Sequence, residues 1–169
     1  MVKRIGLKAR LVTGMVVVAA IAAAAIAPSV TPADNKRDGG SFRGAGTTMV
    51  ESGTGSPSFK PIITKVAFHW LAGAGDFECL ALAPSAEAGN PESGNFDTNV
   101  MYVTGPITSA DITQHTAILK GTATVTGVGA GSERPFTATI KRGGPGATLV
   151  LEVSGLTFRE ILLEGQFGS

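Results

Sequence analysis

Residues 115–128 read HTAILKGTATVTGV and show the clearest two-residue alternation in the chain. Over residues 116–126, aliphatic residues take one parity and polar residues the other, with Ile118 as the single exception: Ala117, Leu119, Ala123 and Val125 in the first set, Thr116, Lys120, Thr122, Thr124 and Thr126 in the second. Successive side chains of a β-strand point to opposite faces of a sheet. The segment therefore predicts a long strand with one apolar face and one face exposed to water.

The next two segments repeat this alternation after short, glycine-containing turns. Residues 135–141 and 147–153 each carry three apolar side chains on one parity: Phe136, Ala138 and Ile140 in the first, Leu149, Leu151 and Val153 in the second. Strands joined by such short turns pair as antiparallel neighbours. The C-terminal half therefore predicts an antiparallel sheet.

Three upstream segments, residues 61–71, 76–83 and 96–104, also alternate. We expect three sets of side chains to share faces: Ile62, Val66, Phe68 and Trp70; Phe77, Cys79 and Ala81; Phe96, Val100 and Tyr102. Trp70 and Tyr102 have the parity of apolar neighbours, which favours core positions for both. Residues 76–83 are apolar on both parities, as in a central strand.

The remaining segments are less regular. Residues 47–51 form a marginal strand, and Gly105-Pro106 is expected to turn the chain into a short segment over 107–112. Residues 156–167 mix charge and bulk, so a helix over 156–164 is the alternative to a strand there. The sequence thus predicts an all-β fold of eight or nine strands, a single antiparallel β-sandwich or closed barrel.

A resemblance to small exported bacterial β-sheet proteins of unassigned function rests on four runs: NVMYVTGPITS, ILKGTATVTGVGAG, PFTATIKRGGPGATLVLEVSG and LTFREILLEGQ. It covers roughly residues 66–167. The shared features are strand and turn patterns. The resemblance therefore implies a β fold and carries over no catalytic residue.

The first 33 residues have the three parts of an export signal. A basic head is followed by an uncharged run over residues 11–27 and then by small residues and prolines up to Ala33. The run has 17 residues and is rich in alanine, which is short and weakly apolar for a spanning helix. We predict a signal helix cleaved after Ala33, with a retained membrane anchor as the alternative.

Cleavage there would leave a flexible linker over residues 34–46 and a β domain over 47–169. An export signal places this domain in the periplasm, in the cell envelope or in the extracellular medium. Four of the 14 basic residues lie in the signal, which leaves 10 basic and 13 acidic residues, a net charge of −3. Without a basic cluster, nucleic acid and anionic membrane surfaces are poor partners, so membrane contact is expected only through the signal.

The chain offers few groups for chemistry. Cys79 is the single cysteine and is expected to be a small buried residue. His69 and His115 lie too far apart along the chain to form a metal-ligand motif. The carboxylate pairs Asp76/Glu78 and Glu160/Glu164 each lie on one segment and are expected to face solvent. We predict no catalytic set, no metal site and no cofactor.

These observations favour a non-catalytic binding or structural module of the cell envelope or extracellular space. Its partner would be an envelope polymer, another protein or a small apolar ligand, with His69, Glu78 and Tyr102 as candidate binding residues. One alternative is a barrel that carries an apolar ligand or lipid inside. The other is a hydrolase-type enzyme that pairs a histidine, His69 or His115, with a carboxylate such as Glu78 or Asp111.

Overall fold

The computed structural model describes residues 40–54, 61–85 and 95–168. This part consists of eight strands: β1 (Phe42–Gly53), β2 (Ile63–Leu71), β3 (Ala74–Pro84), β4 (Phe96–Ile112), β5 (Thr116–Gly127), β6 (Gly131–Lys141), β7 (Thr148–Val153) and β8 (Leu156–Phe167). Each strand pairs antiparallel with the next along the chain, and β8 pairs antiparallel with β1 to close a barrel. No helix long and apolar enough to cross a bilayer occurs within these ranges.

The all-β prediction is confirmed, and the closed barrel is the one of the two expected architectures that forms. The predicted signal helix and its cleavage site lie outside the described residues. The barrel has eight strands and not nine because β4 continues through Gly105 and Pro106, where we expected a turn. Pro106 is exposed, and a register shift between Ile107 and Ser109 follows it. Such an irregularity is where a strand tolerates proline.

β1 begins at Phe42, so residues 42–46 belong to the barrel although we expected them in the flexible linker. Phe42 is fully buried. A Cβ atom at Gly44 would meet the ring of Phe68, and one at Gly46 would meet the side chain of Leu162. The glycines that suggested a flexible linker are therefore the small positions at which β1 passes close to large side chains.

Two segments had ambiguous sequence patterns, and the structure shows that the first is a strand and which face of the second is buried. β8 is extended throughout, so the alternative helix over 156–164 is wrong. In β4, Met101 and Val103 are buried, whereas Tyr102 faces outward, the reverse of the expected orientation. Both parities of β4 are apolar around these positions, so alternation could not distinguish its two faces. The face is determined by the pairing with β3, because this pairing sets Val103 opposite the buried Cys79.

Side chains fill the interior of the barrel, and several aromatic rings contact one another there. Phe42 stacks on Phe68 with ring centroids 5.2 Å apart, and Phe77 stacks on Phe136 at 5.0 Å. Trp70 is buried, as expected. Six buried rings each have a glycine as direct cross-strand partner: Phe68 and Phe167 with Gly44, Trp70 with Gly75, Phe77 with Gly105, Phe136 with Gly121 and Phe158 with Gly53. A glycine beside each ring gives it room in an interior packed at crystal-like density.

Candidate functional site

The outer surface of the barrel has a shallow depression with a floor of two alanines, which we call the alanine basin. Ala45 on β1 and Ala67 on β2 are direct cross-strand partners, and both are exposed. The depression is open to solvent and has a volume of about 550 Å³. The polar side chains that line it belong to four adjacent strands: Arg43, His69, Asp76, Glu78 and Gln166. Methyl groups at the base and hydrogen-bonding groups at the rim are typical of a ligand site.

One side of the alanine basin is a row of three charged or polar residues on neighbouring strands. Arg43 on β1 pairs with His69 on β2, and His69 pairs with Asp76 on β3. Nε2 of His69 lies 3.8 Å from Oδ2 of Asp76, and these side chains are 61% and 71% exposed. This separation is longer than a hydrogen bond.

The β3 side of the basin carries Glu78, whose carboxylate accepts a hydrogen bond from the Tyr102 hydroxyl of β4. This hydrogen bond raises the pKa of Tyr102, because a tyrosine that donates to a carboxylate resists losing its proton. Tyr102 was expected in the core. It lies on the outer surface, where it fixes the orientation of Glu78.

The remaining sides are closed by residues next to the floor, either two positions along β1 and β2 or across on β8. Nζ of Lys65 on β2 donates a hydrogen bond of 2.7 Å to Oγ1 of Thr47 on β1. Gln166 on β8 is the cross-strand partner of Ala45. Every position that adjoins the alanine floor along these rows is therefore polar.

The three candidate binding residues from the sequence fall in one area. His69 and Glu78 line the alanine basin, and Tyr102 contacts it through Glu78. His115 is exposed in the connection between β4 and β5, and Asp111 lies near the end of β4, neither of them among the basin-lining residues. Within the described ranges, no group of three histidine, cysteine, aspartate or glutamate residues could hold a metal ion.

A second group of polar residues is sealed inside the barrel. Glu160 of β8, Thr48 of β1 and Thr64 of β2 are each 1% exposed or less, and Cys79 of β3 is fully buried beside them. We call these four residues the Glu160 cluster. The Thr64 hydroxyl lies 2.5 Å from Oε2 of Glu160, and the Thr48 hydroxyl contacts both that oxygen and the Thr64 hydroxyl.

Our expectation that Glu160 faces solvent is wrong, whereas Glu164 is exposed as expected. The sequence held a signal that we did not use. Glu160 has the parity of Phe158 and Leu162, both of which are buried. A carboxylate between two inward apolar residues of one strand is itself expected to point inward.

Comparisons with protein-family models, with curated proteins and with solved structures give no match for this chain.

Proposed function

We propose that this protein is an exported, non-catalytic binding module whose alanine basin holds a neutral, hydroxyl-rich chain such as an envelope polysaccharide. One observation carries the proposal: two methyl groups at the base of an outer depression are surrounded by hydrogen-bonding side chains from four strands. The methyl groups suit the C–H face of a sugar ring. The rim suits its hydroxyls, because carboxylate, amide, guanidinium and imidazole groups supply both donors and acceptors.

The charges around the alanine basin favour a neutral ligand. Arg43 brings one positive charge to the lining, and Asp76 and Glu78 bring two negative charges. Lys65 and Glu164, the two cross-strand partners of Thr47 in the adjoining row, add one charge of each sign. A site for a polyanion or a polycation would instead be dominated by one sign. A rim that mixes both signs supports hydrogen bonding to hydroxyl groups over attraction of an ion.

Two observations favour binding on the outside over the alternatives. Buried side chains occupy the inward positions of the strands. A lipid carried inside the barrel would therefore have to displace core side chains. The histidine and carboxylate nearest each other in the basin, His69 and Asp76, are widely exposed and beyond hydrogen-bond distance. Acid–base catalysis needs a positioned pair in a site protected from water.

Filling the alanine basin should weaken binding without affecting the fold. We expect Ala67→Phe to weaken association with insoluble polysaccharides (chitin, cellulose or peptidoglycan sacculi) at least about tenfold, since a ring on the floor excludes a sugar. A large residue at an outward strand position is compatible with β structure. The measurement is a depletion isotherm with the purified protein.

The matched control is Thr139→Phe, an exposed position on β6 outside the basin. This variant should bind the same polysaccharide as the wild type does. Wild-type affinity in Ala67→Phe, or equal losses in both variants, would refute the assignment of the basin. Failure of the wild type to bind any of the three polymers would refute the ligand class.

A further inference from the structure

The Glu160 cluster places a carboxyl group inside the barrel without a cationic side chain among its members. Glu160 is 1% exposed, and the hydroxyls of Thr48 and Thr64 donate hydrogen bonds to its Oε2. Cys79, the fourth member, is a fully buried thiol. An ionised carboxylate is costly to bury without a cationic partner, and a carboxyl group in such surroundings keeps its proton instead.

We infer that Glu160 is a neutral carboxylic acid in the folded barrel, hydrogen-bonded to Thr48 of β1 and Thr64 of β2, and that its contribution to stability is lost as the pH rises.

The surroundings of Glu160 agree with a neutral acid. It lies directly opposite Leu149 of β7, and Cys79 of β3 is the titratable group that faces it. Neither offers a positive charge that would stabilise a carboxylate. Burial raises the pKa of Glu160 and outweighs the hydrogen bonds from Thr48 and Thr64, which lower it. Burial also raises the pKa of the Cys79 thiol well above its usual value, so the thiol stays neutral.

The hydrogen bonds of Glu160 lie between two irregularities in the strand pairing. The pairing of β1 with β8, which closes the barrel, has register shifts between Thr47 and Thr48 and between Val50 and Ser52. Thr48 stands between these irregularities. The hydrogen bonds between the two threonines and Glu160 therefore link β8, β1 and β2 between two irregularities of the pairing that closes the barrel.

The sign of the pH effect follows from linkage. An acid with a raised pKa in the folded state contributes its full stability below its unfolded pKa, near 4.5 for this glutamate. Above that pH the unfolded chain releases the proton and the folded barrel keeps it. The unfolding equilibrium constant then rises about tenfold per pH unit from this group until the folded pKa is passed.

The test compares urea unfolding of the full chain with that of Glu160→Gln between pH 4 and pH 10. Glutamine has the same shape, donates and accepts like a protonated carboxyl group, and does not titrate. We expect the wild-type unfolding constant to rise relative to that of Glu160→Gln by up to about tenfold per pH unit above pH 4.5. Glu164→Gln, an exposed carboxylate on the same strand, should keep the wild-type pH profile.

Parallel profiles for the wild type and Glu160→Gln would overturn the inference. A second measurement does not depend on folding of the variant. The infrared spectrum of the wild-type protein at neutral pH should contain the C=O band of a buried, protonated carboxyl group, and that band should disappear in Glu160→Gln. A carboxylate band in its place would equally overturn the inference.

Discussion

Phe77→Ala is expected to lower the free energy of unfolding by about 3–5 kcal/mol, because it empties the centre of the barrel. Phe77 is completely buried and stacks on Phe136, with 5.0 Å between ring centroids. The two rings join β3 to β6, which are not neighbours in the sheet, so they pack across the interior. Truncation would remove both the buried ring area and this stacking contact. Chemical denaturation monitored by circular dichroism measures the loss.

Phe96→Ala is the matched control for this change. Phe96 begins β4 and is 36% exposed, so its removal should cost less than about 1 kcal/mol. Equal destabilisation by the two substitutions would show that the aromatic pair does not hold the two sides of the barrel together.

Gly44→Val is expected to lower the free energy of unfolding by about 1–3 kcal/mol or more through overpacking. A Cβ at this position would lie 2.5 Å from Cζ of Phe68 and 2.9 Å from the main-chain oxygen of Gln166. The ring cannot move aside easily, since it is packed between Phe42 and Phe167. To relieve these close contacts, β1 would have to move away from β8, the strand with which it closes the barrel. Thermal or urea denaturation would report the change.

Ala45→Val tests the same substitution one residue along β1, with the side chain pointing outward into the alanine basin. Valine favours strands, so stability should stay within about 0.5 kcal/mol of the wild type. A Gly44→Val protein as stable as the Ala45→Val protein would show that the ring of Phe68 does not require a glycine beside it.

Much of the fold followed from alternation alone. The threonine and aliphatic faces of residues 116–127 are exposed and buried as the pattern predicts, and β6 and β7 behave in the same way. Alternation assigns faces only where one parity is polar. It failed in β4, where both parities are apolar, and in β1, where inward glycines carry no hydrophobic signal. Whether the sheet would close could not be predicted, because closure depends on pairing between β1 and β8 at opposite ends of the domain.

The candidate site was predictable only in part. His69, Glu78 and Tyr102 were selected for their chemistry, and the structure brings them to one region of the outer surface. The alanine basin itself has no local signature, because it depends on the register that sets Ala45 beside Ala67. Two small residues in separate strands cannot be recognised as part of one site until the strand pairing that makes them neighbours is known.

The first and last strands of the barrel bring the two ends of its chain together. Phe167 of β8 lies beside Gly44 of β1, and the amide of Gly168 donates a 2.9 Å hydrogen bond to the carbonyl of Arg43. A short peptide joining these ends, with new termini at the tight turn at Ser154-Gly155, would keep every strand pairing. In the natural order, β1 with β8 is the one pairing between strands remote in sequence, so ring closure there carries the largest loop entropy. Circular permutation would transfer that cost to the pairing of β7 with β8 and so reveal whether joining the ends limits the folding rate.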